Sequence, residues 1–228
     1  MARLARLVIP GMPYHVTQRG NRRGTTFFED GDFDHYRDLL ADAARRAGTR
    51  IWAYCLMPNH IHVILTPSDE DGLRRTFADL HRRYTRFINA REGWTGHLWQ
   101  GRFGSVAMDD AYLVNAVRYV AMNPVRAGLV KRPADWRWSS VGAHLAGADD
   151  EVVTVGPVLD RVGDFAAFLG TDDDAAAYAA LRQSETTGRP LGDARWIAGV
   201  ERESGRTLAP QKRGPKPRAA AGISKLSP

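Results

Sequence analysis

Hydrophobic and polar positions alternate with period two in PYHVTQ (13–18), where Tyr14 and Val16 share one side and His15 and Thr17 the other, as in a half-buried strand. The basic, glycine-rich RGNRRG (19–24) follows as a turn. From Asp32 to about Gly48 the period changes: Phe33, Tyr36, Leu39, Leu40 and Ala43 recur at helical spacing, with Asp32 placed to cap the helix and Gly48 to stop it. RIWAYCLM (50–57) and HIHVILTP (60–67), joined by Pro58-Asn59, predict a β-hairpin. A second helix is expected from about Asp71 to Ala90, with Leu73, Phe77, Leu80, Tyr84 and Phe87 as its apolar stripe and Arg75, Arg82 and Arg86 on another face. RFGSVAMD (102–109) supplies a fourth strand, and a third helix runs from about Asp110 to Met122, ending near Asn123-Pro124 because the residue before a proline is pushed out of the helical region.

The order strand, helix, strand, strand, helix, strand, helix predicts an α+β chain: a ferredoxin-like antiparallel sheet covered by helices. Residues 1–145 are expected to form this domain and 146–208 a helical C-terminal extension, with helical stretches at 157–183 and 192–204. A disordered basic tail is expected over 209–228. Such a fold hosts many unrelated activities, so function has to come from the site.

Composition narrows the class. With 43% hydrophobic and 25% charged residues in 228, the chain can bury one good core. No apolar run approaches the roughly 20 residues of a membrane span, and Met-Ala-Arg-Leu-Ala-Arg lacks the apolar stretch of a secretion signal, so a cytoplasmic, nucleoid-associated protein with no membrane partner is expected. The single cysteine, Cys55, excludes an intramolecular disulfide and a Cys-based zinc site within one chain. Charge is unevenly distributed: residues 1–146 carry 21 Lys+Arg against 14 Asp+Glu, 147–209 carry 6 against 12, and 210–228 carry 5 against none. A basic body with a separate basic arm suits a polyanion partner. Of the 32 basic residues 28 are Arg, which fits phosphate forks and base stacking but also arises from GC-rich coding.

Two elements carry candidate chemistry. Along a strand His60 and His62 point the same way, so two nitrogen ligands converge. On the third helix Tyr112, Asn115, Tyr119 and Asn123 recur at spacings of 3, 4 and 4 beside the core stripe of Leu113, Ala116, Val117 and Val120. If that helix packs over the histidine strand, a two-histidine, one-amide metal site forms beside a tyrosine. A tyrosine attacking a phosphodiester retains the bond energy as a phosphotyrosine ester. Its phenol titrates near 10 when free, so it needs help that a divalent ion supplies by polarising the phosphoryl oxygen. Manganese, zinc or iron suit such ligands by softness, and magnesium serves where it is abundant. Tyr119 competes with Tyr112 and Tyr84 for the role; its position four residues before Asn123 favours it. His15, His81 and His97 are treated as ordinary, with a DNA contact left open for His15.

These residues carry a resemblance. PNHIHVIL resembles the His-hydrophobic-His motif of the HUH single-strand DNA nucleases, while YHVTQRGNRR, LWQGRFGS and RYVAMNPVRAGLV resemble the single-tyrosine insertion-sequence transposases, most closely their REP-associated branch. It covers about residues 8–145, and TGRPLGDARWIAGVE (187–201) with the basic tail also resembles that branch. The resemblance implies a metal-dependent endonuclease and strand transferase acting on single-stranded and hairpin DNA through a covalent 5′-phosphotyrosine, with Mg2+ or Mn2+ as cofactor, as a monomer or homodimer. Carried over by motif, His60 and His62 match the metal pair, Tyr119 the nucleophile and Asn123 the third ligand. A non-catalytic hairpin-DNA binding protein that kept the fold is the alternative.

DNA contacts are expected from Arg19, Arg22 and Arg23, where backbone donors and guanidinium groups coincide, and from Arg102, flanked by Trp94, Trp99 and Phe103, whose rings either stack on bases or pack in the core. Arg75, Arg82 and Arg86 are either a solvated helix face or a row that tracks phosphates. Lys212, Arg213, Lys216 and Arg218 give the tail a non-specific grip on DNA.

Overall fold

The computed structural model describes residues 6–208. Strands β1 (Tyr14–Arg19), β2 (Arg50–Met57), β3 (His60–Thr66) and β4 (Gly104–Ala107) form one sheet in the order β2-β3-β1-β4. Every neighbouring pair is antiparallel, the ferredoxin-like arrangement that the element order predicts. Helix α1 (Asp30–Ala47) connects β1 to β2, and α2 (Gly72–Glu92) connects β3 to β4.

Register sets the two faces. Thr17 pairs with His62 and Arg19 with His60, while Cys55 pairs with His62 from the other side. Residues paired across strands share a face, so His15, Thr17, Arg19, His60 and His62 all project to one side. The opposite side, with Tyr14, Val16, Ile61, Val63 and Leu65, packs against Phe33, Tyr36 and Leu40 of α1 and Leu73, Phe77 and Leu80 of α2. The histidine side is covered by α3 (Asp110–Ala121), whose Leu113, Ala116, Val117 and Val120 cluster with Ala53, Cys55, Ile64 and Val106.

Three local expectations are refined. α1 begins at Asp30 rather than Asp32. Asp32 is the third helical residue, and its carboxylate reaches back to accept the backbone N–H of Phe28 (2.8 Å) and of Glu29 (3.4 Å) while Arg91 clamps it. It serves the helix start from inside. Secondly, α3 ends at Ala121, just before Asn123-Pro124 as expected, but a single further turn, α4 (Asn123–Arg126), follows, with Pro124 in the first turn where a missing N–H costs nothing. Thirdly, the stretch expected to be helical over 157–183 is divided among three helices. After α5 (Val141–Ala146) come α6 (Gly156–Val162), α7 (Phe165–Leu169) and α8 (Ala175–Thr187), then α9 (Ala194–Ser204). Gly163 leaves the helix at φ 66°, and the carboxylates of Asp164 and Asp174 cap α7 and α8, so local start and stop signals override the apolar period.

Residues after α4 close both edges of the sheet. Leu56 N–H donates to Trp138 O (2.9 Å), and Thr154 N–H to Ile51 O (2.8 Å), along β2. At the other edge Leu191 N–H donates to Ala107 O (2.8 Å), and Asp109 N–H returns to Leu191 O (2.9 Å). Backbone groups that an open edge would leave unpaired are thereby satisfied. No described helix is long and apolar enough to cross a membrane. The tail residues Lys212, Arg213, Lys216 and Arg218 lie outside the described residues.

The Arg91–Asp32 pair gives a stability prediction. Asp32 is fully buried, so removing its charge partner strands a carboxylate in the protein interior. Arg91→Ala is expected to cost about 3 kcal/mol or more, whereas Arg74→Ala, which breaks an exposed pair with Asp71, should cost under about 1 kcal/mol. Urea denaturation of the two variants measures both.

Candidate active site

The turn before β3 orients the first histidine. The side-chain oxygen of Asn59 accepts from Nδ1 of His60 (2.6 Å), and its amide donates to Arg23 O (3.0 Å). An amide oxygen only accepts, so Nδ1 of His60 carries the proton and Nε2 keeps its lone pair. Asn59 thus ties the histidine to the basic loop. That loop is drawn in tightly: a Cβ on Gly20 would lie 2.2 Å from Gly24 O, so only glycine fits. The loop holds Arg22 and Arg23 exposed at φ 55° and 61°.

His15, treated as ordinary on sequence grounds, lies within the site. Its Nε2 is 2.9 Å from Nδ1 of His62, with the rings stacked at 5.1 Å and 12°. The register explains the contact: His15 pairs with Ile64, one diagonal step from His62 on the same face. Periodicity gave the face, and only the strand pairing gave the neighbour. Nε2 of His62 is buried and has no hydrogen-bond partner. Burial holds both rings neutral, His62 well below the usual histidine range and His15 at about 4. A neutral imidazole with one nitrogen supported by a neighbour and the other left open is the state a metal ion requires.

Tyr119 closes the site from α3. Its ring stands edge-on to His62 at 5.6 Å and to His15 at 6.2 Å, and only 8% of the residue is exposed. Arg126 lies over the ring at 4.3 Å, Tyr178 packs at 5.2 Å, and the positive charges of Arg126 and Arg182 act on the phenol. Burial raises the phenol above its ordinary pKa. The preceding residue anchors the helix: Arg118 donates to Asp173, to Thr171 O, to Tyr178 Oη (3.0 Å) and to Leu169 O (3.2 Å). The ring contacts of His15 and His62 with a tyrosine are with Tyr119 and not with Tyr112 or Tyr84. Tyr84 is buried on the α1/α2 side, donating to Thr26 O, and Tyr112 is half-buried beside the second core cluster.

A pocket of ≈ 440 Å³ opens on this face, lined by Thr17, Arg19, His60, His62, Gln100, Arg102 and Glu185. Glu185, from α8, is the residue that sequence reasoning missed. Its carboxylate, His15 and His62 each offer a ligand atom within 4.8 Å of the others. Burial raises its pKa to about 7, against the pull of Arg19 and Arg182. In sequence it is one of many acidic residues in a segment with no periodic signal. Asn123 is not among the pocket-lining residues, although its side-chain nitrogen is buried without a hydrogen-bond partner.

Of the basic residues singled out, Arg19 and Arg102 line the pocket, with Arg22 and Arg23 on the loop tied to His60. Arg75 and Arg82 are engaged by Asp69 and Asp79, and with Arg86 they ride on α2, across the sheet from the histidines. Trp99 and Phe103 are core residues, whereas Trp94 is half exposed and packs edge-on against the exposed Phe28 at 5.6 Å.

The site thus sets two neutral histidines of the sheet beneath a helix that presents a tyrosine. The sequence matches the family described as "Transposase IS200 like" over residues 9–123, about half the chain, and the protein belongs to that family. Its relatives there are REP-associated tyrosine transposases. One from Haemophilus influenzae is 31% identical over 99 residues, 39% of this chain and 56% of that protein, so the match spans little more than half of that relative. Another, from Escherichia coli K12, is 26% identical over 126 residues, 54% of this chain and 73% of that one. A REP-associated tyrosine transposase solved bound to a REP hairpin superposes with a TM-score of 0.53 at 25% identity, covering 68% of this chain and 92% of that one.

Buried histidines make stability depend on pH. His15 and His60 are lowered to about 4 and His81, bonded to Tyr36 Oη at 3.0 Å, to about 3, all chiefly by burial. The unfolded chain takes up protons near pH 6.5 while the folded chain refuses them, so their contribution is present above about 6.5 and lost as pH falls toward 4. Each histidine costs at most about 1.4 kcal/mol per pH unit. Glu185, raised from 4.5 to about 7, works in the opposite sense but is outnumbered. The urea midpoint is expected to drop markedly between pH 7 and pH 5; a flat midpoint would contradict this reading.

Proposed function

We propose that the protein is a metal-dependent single-strand DNA endonuclease and strand transferase acting at hairpin, REP-like DNA. The observation that carries this reading is the Tyr119 ring, 5.6 Å from a histidine whose Nε2 is buried and unpartnered. His60 and His62 would hold a divalent ion, Mg2+ or Mn2+, with the amide of Asn123 four residues beyond the tyrosine as the family pattern has it. Such an ion, when bound, polarises the phosphoryl oxygen and neutralises developing charge.

The chain's own residues do the remaining work. The Tyr119 oxygen attacks phosphorus, an O–P bond forms, and the bond from phosphorus to the 3′ oxygen breaks. The phenol loses one proton and the departing 3′ oxygen gains one, so the products are a 5′-phosphotyrosine and a free 3′-hydroxyl. Arg182 and Arg126, both against Tyr119, favour the phenolate that forms as the proton leaves. Arg19 and Arg102 grip phosphates entering the pocket, Arg22 and Arg23 extend that grip along the loop, and the tail's Lys212, Arg213, Lys216 and Arg218 add sequence-independent affinity. Retention of the ester energy in the adduct makes strand transfer reversible without a nucleoside triphosphate.

Labelled single-stranded DNA carrying a REP-like hairpin, incubated with the protein and Mn2+, is expected to give a denaturation-resistant adduct that Tyr119→Phe abolishes. Tight binding with no adduct would point instead to a hairpin-binding module, and cleavage without an adduct to a hydrolase. Arg19→Ala and Arg102→Ala should each weaken DNA binding and lower the slope of log affinity against log salt by about one unit. Arg82→Ala, on the far side of the sheet, should leave both unchanged.

A further inference from the structure

We infer that the exposed rings of Phe28 and Trp94 form a platform on which unpaired nucleobases flanking the hairpin stem stack, outside the histidine pocket and joined to it by the basic loop. This rests on the hairpin-DNA reading of the function and names a further contact for the same strand.

Three of the five large hydrophobic side chains exposed among the described residues, Phe28, Phe87 and Trp94, gather at one end of the molecule, where α1 begins and α2 ends. None of the three belongs to a hydrophobic cluster of the core. Phe28 is 42% exposed and Trp94 49%, and their rings meet edge-on at 5.6 Å. Scattered apolar residues are ordinary on a surface, whereas a contiguous group marks a contact face.

The platform is held from beneath. Gly93 closes α2 at φ 66°, the Trp94 N–H donates to Asn89 O (2.9 Å), and the Asn89 amide donates to Gly96 O (3.1 Å). Arg91, clamped by Asp32, sets its guanidinium 5.8 Å from the Phe28 ring and 5.6 Å from the Phe87 ring. With the backbone fixed, a Trp or Phe ring has only two side-chain angles left to order when a base arrives.

Charge and connection select the occupant. The basic loop is strapped to the segment after Trp94: the Asn21 N–H donates to Leu98 O (2.8 Å) and the Gln100 N–H to Arg19 O (2.8 Å). Arg19 and Gln100 both line the histidine pocket, and the chain from Trp94 to Gln100 limits their separation to about 22 Å. Arg22 and Arg23 on the loop, and Arg86 in the groove that Phe87 lines, are exposed and make no ion pair among the described residues. The acidic residues Glu29 and Glu92 of this end are engaged by Arg91. Aromatic faces near unengaged guanidinium groups suit a chain that offers π-faces and phosphates together, as a nucleic-acid strand does. A base-paired stem hides its base faces within the stack, so the platform takes unpaired nucleotides.

Fluorescence anisotropy with the full chain compares a labelled REP-like hairpin carrying single-stranded flanks with the same hairpin cut blunt. Trp94→Ala and Phe28→Ala are each expected to weaken binding of the flanked hairpin between about fivefold and a hundredfold and to leave the blunt hairpin unaffected. Stacking carries no charge, so Trp94→Ala should keep the slope of log affinity against log salt, which Arg23→Ala lowers by about one unit. As a control for folding, Trp94→Phe, which keeps a π-face, must bind the flanked hairpin more tightly than Trp94→Leu, which keeps only bulk; equal affinities overturn the inference. It is overturned as well if both alanine variants bind the flanked hairpin like the parent, or lose the blunt hairpin equally. Altered sedimentation of DNA-free Trp94→Ala, with both affinities intact, assigns the patch to a second copy of the chain instead. A parent chain that binds neither hairpin defeats the hairpin-DNA reading itself, a result distinct from any produced by the platform variants.

Discussion

The antiparallel register of β1 against β3 is the constraint on which the rest of the molecule depends, because it brings His15 to within 2.9 Å of His62 and sets Arg19 opposite His60. A slip of one residue would turn His15, Thr17 and Arg19 to the opposite face and bring Tyr14 and Val16 under α3. Both hydrophobic layers would then lose their complement at once, since Tyr14 and Val16 belong to the core beneath α1 and α2. Burial of the apolar side and pre-orientation of the polar side are therefore enforced by the same ladder of backbone hydrogen bonds.

The second dependence is that of α3 on the C-terminal segments. A four-stranded sheet with two helices on one face leaves its other face to a single twelve-residue helix, and that face holds the histidines. The segments after α4 support it from three sides. Residues around Leu191 fix the start of α3, with Asp109 accepting from both Tyr112 N–H (2.8 Å) and Asp193 N–H (2.9 Å). Arg118 is sequestered by α7, α8 and the loop between them, and Val158, Phe165 and Leu181 fill the apolar space alongside. Such a clamp limits the freedom of the tyrosine.

Electrostatics divides the arginines in two. Arg45, Arg46, Arg74, Arg75, Arg82 and Arg83 are engaged by Asp42, Asp69, Asp71 and Asp79 on the α1/α2 side. These exposed pairs contribute little to stability one by one, but they neutralise that surface. Arg19 and Arg102 stand on the other side of the sheet, lining the histidine pocket. A net charge therefore says less about either face than the pattern of pairing does.

Periodicity by itself determined the strand and helix order, hence the ferredoxin-like sheet, because alternation and the 3.6-residue repeat report which side of each element must be dry. It also put His60 and His62 on one side, and Tyr119 and Asn123 on one stripe, since those relations lie within single elements. Family motifs added the order of the parts and a reading of their chemistry. Relations between elements were not legible: the His15–His62 contact depends on strand register, the arrival of Glu185 and Arg182 on how α8 docks, and the pairing of α2's arginines on acidic residues in its own and neighbouring segments. Asn123 carries the lesson most plainly. Its spacing from Tyr119 is legible within a single stretch of chain, whereas Glu185 joins the histidines at the pocket from a helix more than 60 residues further on, because side chains at a site are chosen by packing across the core and sequence distance does not enter it.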